Sequence, residues 1–259
     1  MKALLFIVDG MRPDGLRQAD TPIMDSLIAS GAHSFEARTV MPSITLPCIT
    51  SLFLGVKPER HGVTTNTWEP QAWPVPSLFE VIHEAGLQTA FFYNWEQLRD
   101  VSRPGALNAS FFLRNCDDPT GAGDRELAAL AADWLRGKEI DFAAVYLGAT
   151  DVAGHDTGWM TAQYLKCVAS ADHCIGTVSE VFSKDVGIIV TADHGGHERA
   201  HGTECEEDMT IPFIVAGPGV PKNYTIQRQV AITDIAPTVT ALLGLKTPSE
   251  WIGQAIEFG

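Results

Sequence analysis

The sequence has few basic residues, and it has no long hydrophobic run. Its 259 residues carry 18 Lys and Arg against 32 Asp and Glu, which gives a formal net charge of −14. A surface of this sign is repelled at long range by a nucleic-acid backbone or an anionic membrane. No stretch approaches the ~20 apolar residues that a membrane-spanning helix needs. We therefore expect neither a nucleic-acid polymer nor a membrane among its partners.

Cysteine is also scarce, and its pattern excludes a disulfide-stabilised fold. The five cysteines are an odd number and form no CxxC pair. A chain of this length does not need disulfide cross-links to stabilise its fold. The pattern predicts free thiols in a reducing compartment, and hence a cytoplasmic protein. The cysteines are Cys48, Cys116, Cys167, Cys174 and Cys205.

Short apolar runs recur along the chain and alternate with amphipathic segments. Hydrophobic residues make up 45% of the chain, which is enough for a sizeable core. The apolar runs predict buried strands at 3–8, 89–93, 142–147, 186–190 and 211–217. The segments between them predict helices at 21–31, 77–86, 124–137, 159–182 and 233–245. The first run is short and ends at Asp9, so a strand is predicted there rather than a signal peptide.

This alternation predicts an α/β fold with a doubly wound, mainly parallel central sheet and helices on both faces. We expect a single catalytic domain over residues 1–259, with a small cap or insertion around 95–125, where the pattern is least regular. Sheets of this kind bind ligands beyond the carboxyl ends of their strands. Functional residues are therefore expected directly after the apolar runs.

Acidic residues and histidines do follow three of the predicted strands. Asp9 follows the first run, Asp151 follows a central run, and Asp193 with His194 follows the fourth. His155 lies four residues after Asp151, a spacing that places both side chains on one side of a helical turn. Carboxylates and imidazoles are suitable ligands for zinc, manganese or a similar divalent ion. These residues together predict a metal site.

A second candidate element is the segment MPSITLPCITSLFLG, residues 41–55. Proline is favoured in the first turn of a helix, so Pro47 places Thr45 at or just before a helix N-terminus. The free N–H groups and the positive dipole end at such a position suit an anionic phosphoryl group. Ser43 is an alternative candidate, and a capping hydroxyl without chemistry is the alternative role for Thr45.

Five motifs, taken in chain order, are similar to those of a known enzyme family. They are VDGMRPD, PSITLPCITSLFLGVKPERHGVTTNTW, GATDVAGHDTG, TADHGGHERAHGTE and TDIAPTVTALLGL. This series resembles the alkaline phosphatase superfamily, most closely its type I phosphodiesterase/nucleotide pyrophosphatase branch. The resemblance covers nearly the whole chain except its irregular middle. It implies an alkaline-phosphatase-like fold and a hydrolase that uses two divalent metal ions, zinc or else manganese.

The resemblance also implies a role for each site residue. One ion would be held by Asp9, Thr45, Asp193 and His194, and the other by Asp151, His155 and His201. Thr45 matches a nucleophile that forms a phosphothreonine intermediate. Asn66 matches an asparagine that hydrogen-bonds a substrate oxygen, and the N–H of Leu46 would hold another. The implied substrate is a small phosphate ester, either a diester or a monoester.

Two features depart from this branch. Cys48 replaces the asparagine of its usual Thr-x-Pro-Asn motif, and His201 comes only eight residues after Asp193. The short spacing is similar to that of sulfatases and phosphomutases, but the sulfatase motif Cys-x-Pro-x-Arg is missing. His197 is therefore a rival of His201 as a ligand, whereas His61 is predicted to brace a loop. Phosphonate or sulfate ester hydrolysis, a phosphomutase reaction and a non-catalytic metal-binding role remain alternative functions.

Overall fold

Helices and strands alternate along most of the chain. The computed structural model describes residues 1–101, 103–115, 118–182 and 185–258, so Cys116 lies outside the described residues. The strands are β1 (Lys2–Val8), β2 (Ala32–Arg38), β3 (Thr89–Tyr93), β4 (Ala109–Phe112), β5 (Phe142–Leu147), β6 (Val186–Thr191), β7 (Thr210–Ala216) and β8 (Tyr224–Thr225). The α-helices are α1 (Pro13–Gln18), α2 (Pro22–Ser30), α3 (Thr45–Leu54), α4 (Pro58–His61), α5 (Leu78–Glu84), α6 (Ala122–Leu135), α7 (Ala149–Thr157), α8 (Ala162–Ser179), α9 (Glu206–Met209) and α10 (Ile235–Leu242). Short 3₁₀ helices lie at Glu96–Asp100, Pro104–Ala106 and Ile232–Asp234.

The strands form one sheet in the order β4-β3-β5-β1-β6-β7-β2-β8. Neighbouring strands are parallel except β7, which pairs antiparallel with both β6 and β2. Helix α8 contacts both α6 and α7, the helices α3, α5 and α10 contact one another, and both α8 and α10 contact β1. Helices therefore cover both faces. The predicted doubly wound, mainly parallel sheet is confirmed.

All five predicted strands are present as β1, β3, β5, β6 and β7, and the five predicted helices are present as α2, α5, α6, α8 and α10. The strands β2, β4 and β8 were not predicted. In β2 buried residues alternate with partly exposed ones, because the strand lies near an edge of the sheet. The search for continuous apolar runs therefore passed over it. Within the irregular region, two 3₁₀ helices lead into β4, which pairs with β3 at the opposite edge.

The central strand β1 determines where polar residues meet. Its residues Ala3 to Val8 are buried because helices cover it from both sides. It pairs with β5 on one side and β6 on the other, with Val8 opposite Leu147 and Ile7 opposite Thr191. The carboxyl ends of three adjacent parallel strands therefore lie side by side.

The four cysteines within the described residues, Cys48, Cys167, Cys174 and Cys205, are free thiols, as predicted. Three of them are buried, and Cys205 is partly exposed. Across the described ranges, no helix combines the length and the apolar character that crossing a membrane would require.

Candidate active site

The carboxyl ends of β5, β1 and β6 bring together residues that are far apart in sequence. Asp9 directly follows β1, Asp193 and His194 follow β6, and α7 carries Asp151 in its first turn and His155 in its last. Because the three strands are neighbours, their following residues converge. The Nε2 atom of His194 lies 3.3 Å from Asp9 Oδ1 and 3.4 Å from Asp193 Oδ2.

Thr45 is the first residue of α3 and reaches the same point from another direction. Its side chain is buried, and its Oγ1 lies 3.1 Å from His194 Nε2. Bonds of about 2.0–2.1 Å to a tetrahedral ion would place neighbouring ligand atoms about 3.3 Å apart. The separations around His194 Nε2 are of this size. Ser43, the alternative to Thr45, instead donates its hydroxyl to the carbonyl oxygen of Thr203 at 2.8 Å.

The histidines His155, His194 and His201 share one hydrogen-bonding pattern. In each ring Nδ1 lies within 2.7–2.9 Å of a backbone carbonyl oxygen, to which it donates its proton. The lone pair of Nε2 then faces carboxylate oxygens. For His155 and His201 these belong to Asp151, at 3.4 and 3.7 Å. These distances exceed those of a charge-assisted hydrogen bond, and the pattern is typical of histidines that bind a metal ion.

The aspartates are arranged in a matching way. Asp9 Oδ1, Asp151 Oδ1 and Asp193 Oδ2 are buried and accept no hydrogen bond. The other oxygens of Asp9 and Asp193 are occupied, by the hydroxyl of Tyr146 and by two backbone N–H groups. Burial and then the nearby carboxylates raise the pKa of Asp9, and burial also raises that of Asp151. A divalent cation would satisfy these open oxygens, so the donor set fits a metal ion.

A cavity of about 150 Å³ opens beside these groups. It is lined by Asp9, Thr45, Asn66, Trp95, Tyr146, Gly148, Asp151, Val152, His155 and His201. Asn66 is exposed, and its Oδ1 accepts the N–H of Leu46 at 3.1 Å. The two groups that were predicted to hold substrate oxygens are therefore bonded to each other, which leaves the Asn66 Nδ2 group as the free donor.

The structure separates the two rival histidines. His201 lines the cavity, and its ring stacks on that of His194 with centroids 3.8 Å apart. His197 does not line the cavity, because its Nδ1 lies 2.7 Å from Asp208 Oδ1. Burial is the main cause that lowers the pKa of His201 to about 3, and this favours the neutral ring that a ligand requires. The structure thus brings His201 to the other candidate ligands and leaves His197 outside.

Asp124 supports the site from a position that sequence reasoning missed. It is buried at the start of α6 and accepts hydrogen bonds from the N–H groups of Gly148 and Ala149 at 3.1 and 3.2 Å. It also accepts from Asn94 Nδ2 at 2.7 Å. Burial raises the pKa of Asp124 to about 6. These contacts fix the start of α7, which carries Asp151. Their donors come from separate segments, so no local pattern reveals them.

His61 was predicted to brace a loop, and it also contacts the helix that begins at Thr45. It is buried, its Nδ1 accepts the N–H of Val63 at 3.1 Å, and its Nε2 donates to Ser51 Oγ at 2.9 Å. Both ring nitrogens are therefore used in the neutral form. Burial lowers the pKa of His61 to about 4.

His61→Gln is expected to reduce the loss of unfolding free energy that occurs as the pH falls from 7 to 4.5. The folded-state pKa of about 4 lies below the unfolded value of about 6.5, so protonation favours the unfolded chain. The contribution of His61 is complete above pH ~6.5 and decreases as the pH falls toward 4, by about 3 kcal/mol. Urea unfolding of the metal-free wild type and of metal-free His61→Gln, each at pH 7 and 4.5, measures how much stability each protein loses. Equal losses in the two proteins would contradict the neutral, buried state of His61.

Comparisons with known proteins identify the family that the motifs resemble. A family model described as "Type I phosphodiesterase / nucleotide pyrophosphatase" matches residues 3–208. The chain is 29% identical over 241 residues to ectonucleotide pyrophosphatase/phosphodiesterase family member 3 of Mus musculus, a match that covers 81% of this chain and 26% of that protein. It is 27% identical over 270 residues to a 2,3-bisphosphoglycerate-independent phosphoglycerate mutase of Shewanella putrefaciens, with 90% and 50% covered. The chain thus spans only a quarter to a half of these relatives.

A solved structure is similar over nearly its full length. The inactive form of murine ectonucleotide pyrophosphatase / phosphodiesterase 5, in complex with AMP, superposes with a TM-score of 0.78. The match covers 99% of this chain and 97% of the murine chain at 17% sequence identity. At this identity the likeness establishes the fold alone, and the predicted fold class is confirmed from a second direction.

Proposed function

Because the chain belongs to the type I phosphodiesterase / nucleotide pyrophosphatase family, as its motifs predict, we propose that it hydrolyses small phosphate esters, with Thr45 as the nucleophile. The observation that carries this proposal is the set of open acceptors beside Thr45 Oγ1. Asp9 Oδ1 and Asp193 Oδ2 accept no hydrogen bond, and the Nε2 lone pair of His194 faces both of them and the hydroxyl of Thr45. They surround a point where a cation would lie next to a hydroxyl group.

We propose that the site binds two divalent ions, for which zinc is the first choice and manganese the alternative. Asp9, Thr45, Asp193 and His194 would hold one ion, and Asp151, His155 and His201 the other. When bound, such ions neutralise phosphate oxygens and lower the pKa of a coordinated hydroxyl. The backbone carbonyls that accept from Nδ1 of the three histidines keep each Nε2 unprotonated and correctly turned.

In the proposed reaction, Thr45 Oγ1 loses its proton to solvent and forms a bond to phosphorus. The bond from phosphorus to the leaving alcohol breaks on the opposite side, and the alcohol oxygen takes a proton from solvent. Water then attacks the phosphorus of the phosphothreonine and gives a proton to solvent, the bond from phosphorus to Thr45 Oγ1 breaks, and Oγ1 takes a proton from solvent. The net change is the addition of one water across one ester bond. The start of α3 contributes its dipole to the developing negative charge.

The charge of the cavity favours a diester over a monoester. None of the described residues that line it is a lysine or arginine, so the cavity offers no side-chain cation, besides the proposed ions, for the second negative charge of a monoester. A diester carries one negative charge near neutral pH, whereas a monoester carries nearly two. Trp95 and Val152 provide an apolar wall for a leaving group. The AMP bound by the murine relative makes nucleotidyl esters the first natural class to test.

The proposal includes a cytoplasmic location, with small phosphate esters as partners. The free thiols of the four described cysteines fit a reducing compartment. The net charge of −14 disfavours a nucleic-acid polymer or an anionic membrane as a partner.

A substrate panel tests the proposed function. The zinc- or manganese-loaded protein is assayed with bis(p-nitrophenyl) phosphate, p-nitrophenyl phosphate, p-nitrophenyl phenylphosphonate and p-nitrophenyl sulfate. We expect the largest kcat/KM on the phosphodiester. A larger value on the phosphonate or the sulfate would assign the alternative hydrolase function. No turnover on any of the four, with metal bound, would favour a non-catalytic role.

Asn66→Ala is expected to lower kcat by roughly 10²–10³-fold on the preferred ester. This is the usual effect of removing one hydrogen-bond donor to a transition-state oxygen. The variant also frees the N–H of Leu46, which now donates to Asn66 Oδ1, so part of the loss is recovered. Thr64→Ala, at an exposed neighbouring position, serves as the control with unchanged kcat. A change in KM alone would assign Asn66 to ground-state binding.

A further inference from the structure

The segment between β6 and β7, residues 192–209, carries Asp193, His194 and His201 and is closed by backbone contacts at its base. The N–H of Gly195 donates to the carbonyl oxygen of Asp208 at 2.8 Å, and that of Gly196 donates to Glu207 at 2.9 Å. A Cβ atom at Gly195 would lie 1.9 Å from the Glu207 oxygen, so only glycine permits this approach. The two arms of the segment are therefore fixed to each other next to the site.

Asp208 lies near the end of this segment and contacts two earlier parts of it. Its side chain is fully buried, and no described Lys or Arg forms an ion pair with it. Its Oδ1 lies 2.7 Å from His197 Nδ1, and its Oδ2 accepts the N–H and the hydroxyl of Thr203 at 2.9 and 2.8 Å. Burial acts against its ionised form, but the hydrogen bonds from His197 and Thr203 outweigh burial and lower the pKa of Asp208. Asp208 thus holds two separate points of the segment.

This network continues to the candidate active site. The carbonyl oxygen of Thr203 accepts the hydroxyl of Ser43 at 2.8 Å. The carbonyl oxygen of Ser43 in turn accepts Nδ1 of His201 at 2.9 Å. Ser43 precedes Thr45 by two residues, so the same chain of contacts reaches the start of α3. A displacement of Thr203 would therefore move Ser43. The His201 ring would then turn, because the carbonyl oxygen of Ser43 is the only described partner of His201 Nδ1.

The same residues also form a group that resembles a metal site. His197, Cys205 and Asp208 offer ligand atoms within 4.8 Å of one another. However, His197 Nδ1 and Asp208 Oδ1 are 2.7 Å apart, which is a hydrogen-bonding distance. In the candidate active site, by contrast, the carboxylate oxygens of Asp9 and Asp193 lie 3.3 and 3.4 Å from His194 Nε2. Cys205 Sγ lies 3.5 Å from the nitrogen that already donates to Asp208. The geometry is that of a hydrogen-bonded clamp rather than of a third ion site.

We propose that Asp208 is a positioning residue, which orients His201 through Thr203 and Ser43 and thereby sets the affinity of the ion that His201 shares with Asp151 and His155. It touches neither ion nor substrate. The inference rests on the proposed function, in that His201 acts as a ligand. Loss of a residue that orients a metal ligand typically weakens metal binding by about 10- to 100-fold.

Titration of Zn²⁺ into the metal-free protein, followed by calorimetry, tests this role. The wild-type chain is expected to bind two ions, and Asp208→Asn is expected to weaken one of them by about 10- to 100-fold while leaving the other unchanged. His197→Ala should weaken the same ion, whereas His197→Asn, which keeps a donor at the position of Nδ1, should restore it. A general loss of packing would weaken both ions, so selectivity for one ion distinguishes positioning from stability. Thr203→Val decides the question if Asp208→Asn does not fold.

Cys205→Ser is the matched control, because it alters the same cluster but keeps the hydrogen bonds of Asp208 to His197 and Thr203. It should leave both affinities unchanged. Loss of a third bound ion in Cys205→Ser would show that the cluster is itself a metal site and would overturn the proposal. Two ions with unchanged affinities in Asp208→Asn would overturn the positioning role alone. A wild-type chain that binds fewer than two ions would contradict the proposed function and this inference with it.

Discussion

Thr45→Ala is expected to lower phosphodiester turnover by roughly four orders of magnitude or more, while the metal content remains largely intact. Thr45 Oγ1 lies at the start of α3, 3.1 Å from His194 Nε2, and lines the cavity. Its removal leaves Asp9, Asp193 and His194 in place, and these three supply most of the donor atoms for the ion beside it. The variant therefore separates the chemistry of the hydroxyl from the binding of the metal.

Two further variants make this test specific. Thr45→Ser keeps a hydroxyl at the same place and should retain measurable kcat. Ser43→Ala tests the alternative nucleophile. With excess metal it should retain turnover, because the Ser43 hydroxyl donates to Thr203 rather than facing the cavity, whereas loss of that bond should weaken binding of the ion that His201 holds. The measurements are kcat/KM on bis(p-nitrophenyl) phosphate, bound metal by elemental analysis, and mass spectrometry of acid-quenched enzyme for phosphothreonine. Full activity in Thr45→Ala would rule out the assigned nucleophile.

The fold could be predicted from the sequence wherever a strand is covered on both faces. The central strands β1, β5 and β6 are continuous apolar runs because helices lie on either side. The strand β2 lies near an edge and alternates buried with partly exposed positions, and β8 has only two residues. Neither strand contains a continuous apolar run, so a search for such runs does not distinguish them from loops.

Asp9, Asp151, Asp193 and His194 could be predicted as candidate ligands because they follow those central strands, where a doubly wound sheet binds its ligands, whereas His201 was indicated only by the family resemblance. The side chains that position these ligands could not be predicted from the sequence. Tyr146 lies inside an apolar run and donates to Asp9, and Asp124 is an ordinary acidic residue near a helix start. Asp208 stands in an acidic run and shows its role only through contacts with His197 and Thr203. Such partners are set by tertiary proximity, which leaves no local signal.

Removal of the metal ions is expected to abolish turnover and to destabilise the protein strongly. Asp9 and Asp193 are almost fully buried beside the lone pair of His194 Nε2, and each keeps one oxygen without a donor. Each ion, at 100 to 1,000 times its dissociation constant, would stabilise the folded chain by about 3–4 kcal/mol. In a domain of this size, that corresponds to a fall in Tm of roughly 10 °C for each ion removed by chelation. Thermal unfolding with and without excess Zn²⁺ measures the shift.

Asp9→Asn is expected to raise the Tm of the metal-free protein but to lower the Tm of the protein in excess Zn²⁺. In the ion-free protein the variant removes one charge from the buried carboxylates, and its amide can donate to His194 Nε2 or Asp193 Oδ2, so its Tm should exceed that of the wild type. With excess Zn²⁺ it lacks a ligand, so it should be inactive and less stable than the wild type. Asp20→Asn, an exposed position, changes the net charge equally and should show no such reversal. A lower Tm for Asp9→Asn under both conditions would mean that the aspartates are held together by something other than a shared cation.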